Sequence, residues 1–267
     1  MTGPWIRHGE PGDPVAVVLP GSGSTAEFVA RAFAGPLAAA GFALVTTDHP
    51  GGTDHPGGTD HPGRTDPGDP AAAWGPALDA LAEREPLALV GGVSLGAHAA
   101  VRWAARRPGG CGGLLLVMPA WTGPADAVAA VSGVTAEEIA ATGTAAVLHR
   151  LRGQAVGARW VLDELCTAWP YRGDAALVAE LRGVARSAGP SAAELARVAG
   201  PCGVVALRDD PLHPEAVARR WASLLRRATV AAVDHDAVAA DRGALGTAAL
   251  AALAACDGRV SGMGGSV

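Results

Sequence analysis

Lysine and asparagine do not occur in this 267-residue chain, and charged residues of any kind make up only 18% of it. All 21 basic residues are arginine, set against 26 acidic ones, for a formal net charge of −5. No basic field is left to hold a nucleic-acid backbone, so no nucleic-acid partner is expected. The missing residue types, with the surplus of alanine, glycine, proline and valine, read as the codon bias of a GC-rich genome. That bias inflates small-residue motifs, so a glycine pattern counts only where its structural context supports it. The four cysteines, Cys111, Cys166, Cys202 and Cys256, form no Cys-x-x-Cys pair. Neither a disulfide framework nor a metal site is expected from them, and reduced thiols in a cytoplasmic protein are the simplest reading. The first residues show no basic segment followed by an apolar stretch, which argues against a signal peptide. Apolar runs are broken by Gly, Pro or charge well short of membrane-spanning length, so no membrane span is expected.

What is present is alternation. Short apolar runs at Val15–Leu19, Phe42–Thr46, Leu87–Val90, Leu114–Val117, Gly203–Leu207 and Thr229–Val233 read as strands buried on both faces. Alanine-rich helical stretches fall between them at Glu27–Ala40, Ala71–Ala82, Leu95–Ala105, Glu215–Arg226 and Ala244–Ala255. This predicts an α/β protein with a mostly parallel central sheet and helices on both faces. Trp5-Ile6-Arg7 is the one piece left for an early antiparallel strand. Between Trp121 and Gly200 the alternation stops, and helices are expected at Thr135–His149, Ala158–Ala168, Ala175–Ala185 and Ser191–Val198. Thr135, followed by Glu137 and Glu138, makes a helix start with acid in its first turn. The expected organisation is a core formed by 1–121 and 201–258, a helical lid or cap over 122–200, and a tail at 259–267 without order.

One segment repeats. Asp48-His49-Pro50-Gly51-Gly52-Thr53 is followed by Asp54-His55-Pro56-Gly57-Gly58-Thr59 and then by Asp60-His61-Pro62-Gly63-Arg64-Thr65. Its spacing matches no standard zinc pattern, and Pro and Gly keep it from being a helix. An expanded flexible loop is the expectation, bordering the carboxyl end of a strand.

The motif that carries chemistry is Gly92-Val93-Ser94-Leu95-Gly96, entered from the apolar run Leu87-Ala88-Leu89-Val90 and left through Ala97–Ala105. A serine on a sharp strand-to-helix turn has its hydroxyl pushed into the open, and glycines on either side leave room for the turn. In this setting the motif resembles the nucleophile elbow of the α/β-hydrolase family of serine hydrolases. The resemblance runs from about Val15 to Cys256 apart from the helical insertion, and it implies the family's fold with a helical lid. It also implies partners for Ser94 in the order acid, then histidine, each on a loop after a late strand.

Both partners can be found in that order. Arg208-Asp209-Asp210-Pro211-Leu212-His213-Pro214 follows one strand and resembles the family's Asp-x-x-x-Pro acid turn. Asp210 is the expected acid, with Asp209 beside it and Asp126 as competitors. Asp234-His235-Asp236 follows the next strand, where the family places its histidine, so His235 is the expected base. His213 is its rival, read here as packing within the acid turn. His98 reads as a helix-surface or pocket-side residue. If Asp234 and Asp236 pointed inward they would favour imidazolium at His235 and weaken it as a base. The oxyanion of an acyl-transfer reaction needs preorganised donors. Leu95 N–H is one, and the resemblance implies Ser22 N–H, in Leu19-Pro20-Gly21-Ser22-Gly23-Ser24, as the other. That run lacks the Gly-Lys-Ser/Thr ending of a phosphate loop.

Trp121 ends a strand on the catalytic edge and is a candidate wall of the substrate pocket. Trp160, Trp169 and Tyr171 fall in the lid, where lid packing and substrate contact are both open to them. The reading is a serine hydrolase acting on a moderately hydrophobic carboxylic ester, thioester or lactone through an acyl-enzyme, with no cofactor and no metal. A lyase or cyclase on the same scaffold, or ligand binding without turnover, are the alternatives.

Overall fold

The computed structural model describes residues 5–48, 69–154 and 158–261. Among the described residues seven strands are formed: β1 (Ile6–His8), β2 (Val15–Leu19), β3 (Ala43–Thr46), β4 (Leu87–Val93), β5 (Cys111–Val117), β6 (Cys202–Leu207) and β7 (Ala228–Val233). They make one sheet in the order β1-β3-β2-β4-β5-β6-β7. Only β1 runs antiparallel, pairing Ile6 with Thr46 and His8 with Leu44. The apolar runs thus became the parallel strands, and Ile6–His8 became the short antiparallel edge.

Because successive side chains of a strand point to opposite faces, each strand feeds two cores. Val15, Val17, Leu19, Leu114, Leu116, Val204 and Ala206 enter one cluster with Trp74, Trp103 and Trp221. Those indoles come from α2 (Trp74–Ala82), α3 (Leu95–Arg106) and α9 (Glu215–Leu224). Ala16, Val18, Leu115, Val117, Val205 and Leu207 enter the other with Phe33, Leu37, Leu245 and Leu253. This second face is covered by α1 (Ala26–Ala39) and α11 (Gly243–Ser261). A strand apolar at every position needs cover on both sides, and helices supply it.

Between β5 and β6 the chain forms α4 (Ala127–Thr142), α5 (Thr144–Gln154), α6 (Arg159–Arg172), α7 (Asp174–Arg186) and α8 (Ala192–Arg197). Helices α4 to α7 share their own apolar cluster, including Ile139, Val147, Trp169, Leu177 and Leu181. Three expectations change here. The first helix begins at Ala127 rather than Thr135, because the Asp126 carboxylate caps it by accepting from Val128 N–H and Ala129 N–H. The span expected as one helix, Thr135–His149, is split at Gly143, whose φ of +82° lies outside helical space. The tail expected from residue 259 is helical through Ser261, as the end of α11. A short helix, α10 (His235–Ala240), was not anticipated. Of the Asp-His-Pro-Gly-Gly-Thr repeat, residues 49–65 lie outside the described residues; Asp48, its first residue, accepts from Ala26 N–H at 2.8 Å. Among the described residues no helix is long and apolar enough to cross a membrane.

Candidate active site

Strand β4 ends at Val93 and α3 begins at Leu95, so the chain must reverse at Ser94 alone. Ser94 has φ +52° and ψ −112°, a conformation that L-residues adopt only under constraint. The constraint is tertiary: Ser94 N–H donates to Val117 O at 2.9 Å on the neighbouring strand, while Ser94 O accepts from His98 N–H at 3.2 Å. The flanking glycines are sterically required. A Cβ on Gly92 would stand 2.2 Å from Gly96 C, and one on Gly96 would stand 2.3 Å from Leu19 O. Leu95 opens α3, so its N–H has no partner inside the helix.

The turn after β6 approaches this serine. Asp209 takes the left-handed conformation, φ +56°, and its side chain is exposed. That reversal sends Asp210 inward, where its side chain is only 8% exposed. Asp210 Oδ1 accepts from Leu212 N–H at 2.9 Å. Its other oxygen lies 2.8 Å from His213 Nδ1, and His213 Nε2 lies 3.0 Å from Ser94 Oγ. Burial alone would raise the Asp210 carboxyl. The hydrogen bond and charge of His213, the Leu212 N–H and the nearby His235 outweigh it and hold the group below the usual carboxylate range. An ionised carboxylate only accepts, so Nδ1 of His213 must carry the ring proton. Nε2 is then left with its lone pair toward the serine hydroxyl. Ser94, His213 and Asp210 therefore form one hydrogen-bonded line.

This corrects the histidine. His235, expected beside Ser94, instead starts α10 and accepts from Trp160 Nε1–H through Nδ1 at 3.2 Å. Its neighbours point away: Asp234 pairs with Arg208 Nη1 at 2.8 Å, and Asp236 is exposed. In the sequence, the place of His213 within an Asp-x-x-x-Pro turn reads as packing. The available signal was the three-residue offset from Asp210 between Pro211 and Pro214, which lets a tight turn close the pair.

The other candidates also find their places. Asp126 caps α4 and does not meet His213. Trp121 is 3% exposed, its ring centroid 4.6 Å from that of His98 in an edge-on arrangement, so it is core packing rather than an open pocket wall. His98 is fully buried, not on the helix surface, and accepts from Ala120 N–H at 3.4 Å. Burial, with Arg102 and His213 nearby, lowers its pKa to about 3, so it stays neutral. Trp160 and Trp169 are both buried among neighbouring helices, whereas Tyr171 is exposed. A cleft of about 680 Å³ lies at the opposite edge of the sheet, between 11–15 and 85–88. Its Arg7 and Glu85 pair with each other at 2.5 Å, and it contains none of the candidate site residues.

On the β2 side, Gly21 lies against the serine: a Cβ there would stand 3.3 Å from Ser94 Cβ. Ser24 N–H donates to Gly21 O at 3.1 Å, which closes a turn around Ser22 and Gly23. Among the described residues Ser22 N–H has no acceptor.

No model of a known protein family matches the sequence, and no curated protein resembles it at a significant level. Solved structures do resemble the fold. MGS-M2, an α/β-hydrolase enzyme from a Medee basin deep-sea metagenome library, is 16% identical, with 92% of each chain covered and a TM-score of 0.69. MenH from S. aureus is 14% identical, covering 95% of this chain and 98% of its own, with a TM-score of 0.71. The enol-lactonase from Burkholderia xenovorans LB400 is 17% identical over 86% of each chain, with a TM-score of 0.63. With its sheet order and the elbow at Ser94, the chain has the α/β-hydrolase fold.

Proposed function

We propose that the protein is a serine hydrolase of carboxylic esters, thioesters or lactones, with Ser94 as nucleophile, His213 as base and Asp210 as the orienting acid. The observation that carries this reading is the unbroken line from Asp210 Oδ2 through His213 to Ser94 Oγ, at 2.8 and 3.0 Å. Both contacts are within the reach a nucleophile and its base require. His213 Nε2 takes the hydroxyl proton as Ser94 Oγ bonds to the acyl carbon. The oxyanion so formed is held by Leu95 N–H and Ser22 N–H. His213 then returns the proton to the departing alcohol or thiol, leaving the acyl group on Ser94. Water repeats the sequence, with His213 again as base, and releases the acid. Asp210 keeps the ring in the right tautomer and stabilises the imidazolium. No cofactor is needed for this chemistry. Helices α4 to α7 serve as the lid, which would favour a moderately hydrophobic substrate.

Intact mass after fluorophosphonate treatment tests the reading. One adduct is expected on the wild type and none on Ser94→Ala, whose ester turnover falls by about 10³-fold or more. A folded Ser94→Ala that kept wild-type turnover would refute it. A non-hydrolytic reaction is the second reading, because structures of this fold carry names as different as enol-lactonase and MenH. Incorporation of ¹⁸O from water into an acid product separates the two.

A further inference from the structure

Arg172, the last residue of α6, and Glu180, within α7, form an ion pair whose side chains are each only 4% exposed. Such a pair loses its hydration on burial and is seldom retained for stability alone, since apolar residues of similar size often do as well. What this one touches is therefore informative. Glu180 Oε1 accepts from Gly23 N–H at 2.9 Å, and Arg172 Nη1 donates to Ser24 O at 3.2 Å. Two successive residues of the turn after β2 are thus held by the two ends of one ion pair.

The same helices fix the turn sterically. Gly23 has φ +65°, and a Cβ there would stand 2.7 Å from Trp169 Nε1 of α6. Of the three N–H groups at the tip, that of Gly23 is committed to Glu180 and that of Ser24 to Gly21 O. The N–H of Ser22 is what remains, one residue from the glycine packed on Ser94.

We infer that Arg172 and Glu180 are positioning residues, which hold the turn so that Ser22 N–H serves as the second oxyanion donor. The inference rests on the hydrolase reading above and adds to it the reason why one donor of the turn is free. Neither side chain touches the reacting atoms; both act through the backbone of residues 23 and 24. A donor in place before the reaction costs no reorganisation when the negative charge develops. A loosened donor weakens the transition state more than the ground state, so its loss should appear in kcat rather than KM.

The test uses the full chain and p-nitrophenyl butyrate. The double variant Arg172→Met/Glu180→Leu removes the pair without stranding a buried charge, and Glu180→Gln keeps a carbonyl acceptor for Gly23 N–H. In the double variant kcat is expected to fall about 10- to 100-fold with KM within about threefold, approaching the cost of losing an oxyanion donor. Glu180→Gln should retain most of the wild-type kcat. Hydrogen–deuterium exchange of the peptide covering 20–25 gives a readout independent of turnover. It should quicken about tenfold in the double variant, while the exchange of β4 and β5 is unchanged. Unchanged exchange at 20–25 would overturn the inference, as would faster exchange with wild-type kcat or an effect confined to KM. If the wild type had no Ser94-dependent turnover, the hydrolase reading would fail. The exchange comparison would still decide whether this pair holds the turn.

Discussion

Among the described residues, two turns contain an aspartate and a histidine after a parallel strand, and they differ in where they send them. After β7, Asp234 turns outward to Arg208 and is 63% exposed, while His235 meets the Trp160 indole. After β6, the left-handed Asp209 absorbs the reversal, Asp210 turns inward, and His213 joins it to Ser94. Chain order and a preceding strand favour the first turn, while hydrogen-bond geometry favours the second. A base is defined by what stands on each side of its ring, a carboxylate at one nitrogen and the nucleophile at the other.

The contrast can be broken most sharply at the histidines. His213→Ala is expected to lower kcat about 10³-fold or more, as removal of a triad base does, and to slow fluorophosphonate labelling in parallel. His235→Ala should lower kcat by less than about tenfold, because its ring meets the Trp160 indole and not Ser94. Reversal of that ranking would return the role of base to His235. The adjacent aspartates give the next largest effect. Asp210→Asn should cost on the order of 10² to 10⁴ in kcat by favouring the wrong ring tautomer, whereas the exposed Asp209→Asn should stay within about twofold. Equal losses at both positions would break the distinction that φ at Asp209 imposes.

The third prediction concerns the core beneath the β6 turn. His98 titrates at about 3 in the fold against 6.5 as an ordinary imidazole. Between those values the unfolded chain holds a proton that the folded chain does not. Stability therefore falls as pH drops through this window, by up to about 1.4 kcal/mol per unit. Asp210 adds to the loss only at more acidic pH, below its ordinary value of 3.8. Denaturant midpoints from pH 7 to pH 4 should show the slope in the wild type and a flatter one in His98→Leu. The smallest effect belongs to the β7 turn: Asp234→Asn removes an exposed ion pair and should leave the denaturant midpoint essentially unchanged.

Much of this protein is legible in residue order. Runs such as Val15–Leu19 and Cys202–Leu207 are apolar at every position, and only strands covered on both faces bury them. Gly92 and Gly96 around Ser94 are equally local, because the turn has no space for a side chain at either position. The helices between β5 and β6 were readable as helices but not in their bounds, since caps such as Asp126 and breaks such as Gly143 depend on φ and on neighbours.

What the tertiary structure alone decided is the company each polar group keeps. Sequence supplied Asp210 with His213 and Asp234 with His235, but whether the Asp210 carboxylate faces inward depends on one backbone reversal, at Asp209. Sequence supplied a glycine-rich turn after β2, but the buried Arg172–Glu180 pair that holds it comes from helices about 150 residues away. Secondary structure follows from local periodicity and so can be read along the chain. A line of hydrogen bonds such as that from Asp210 through His213 to Ser94 joins groups brought together only by folding, and its partners are settled by packing in three dimensions.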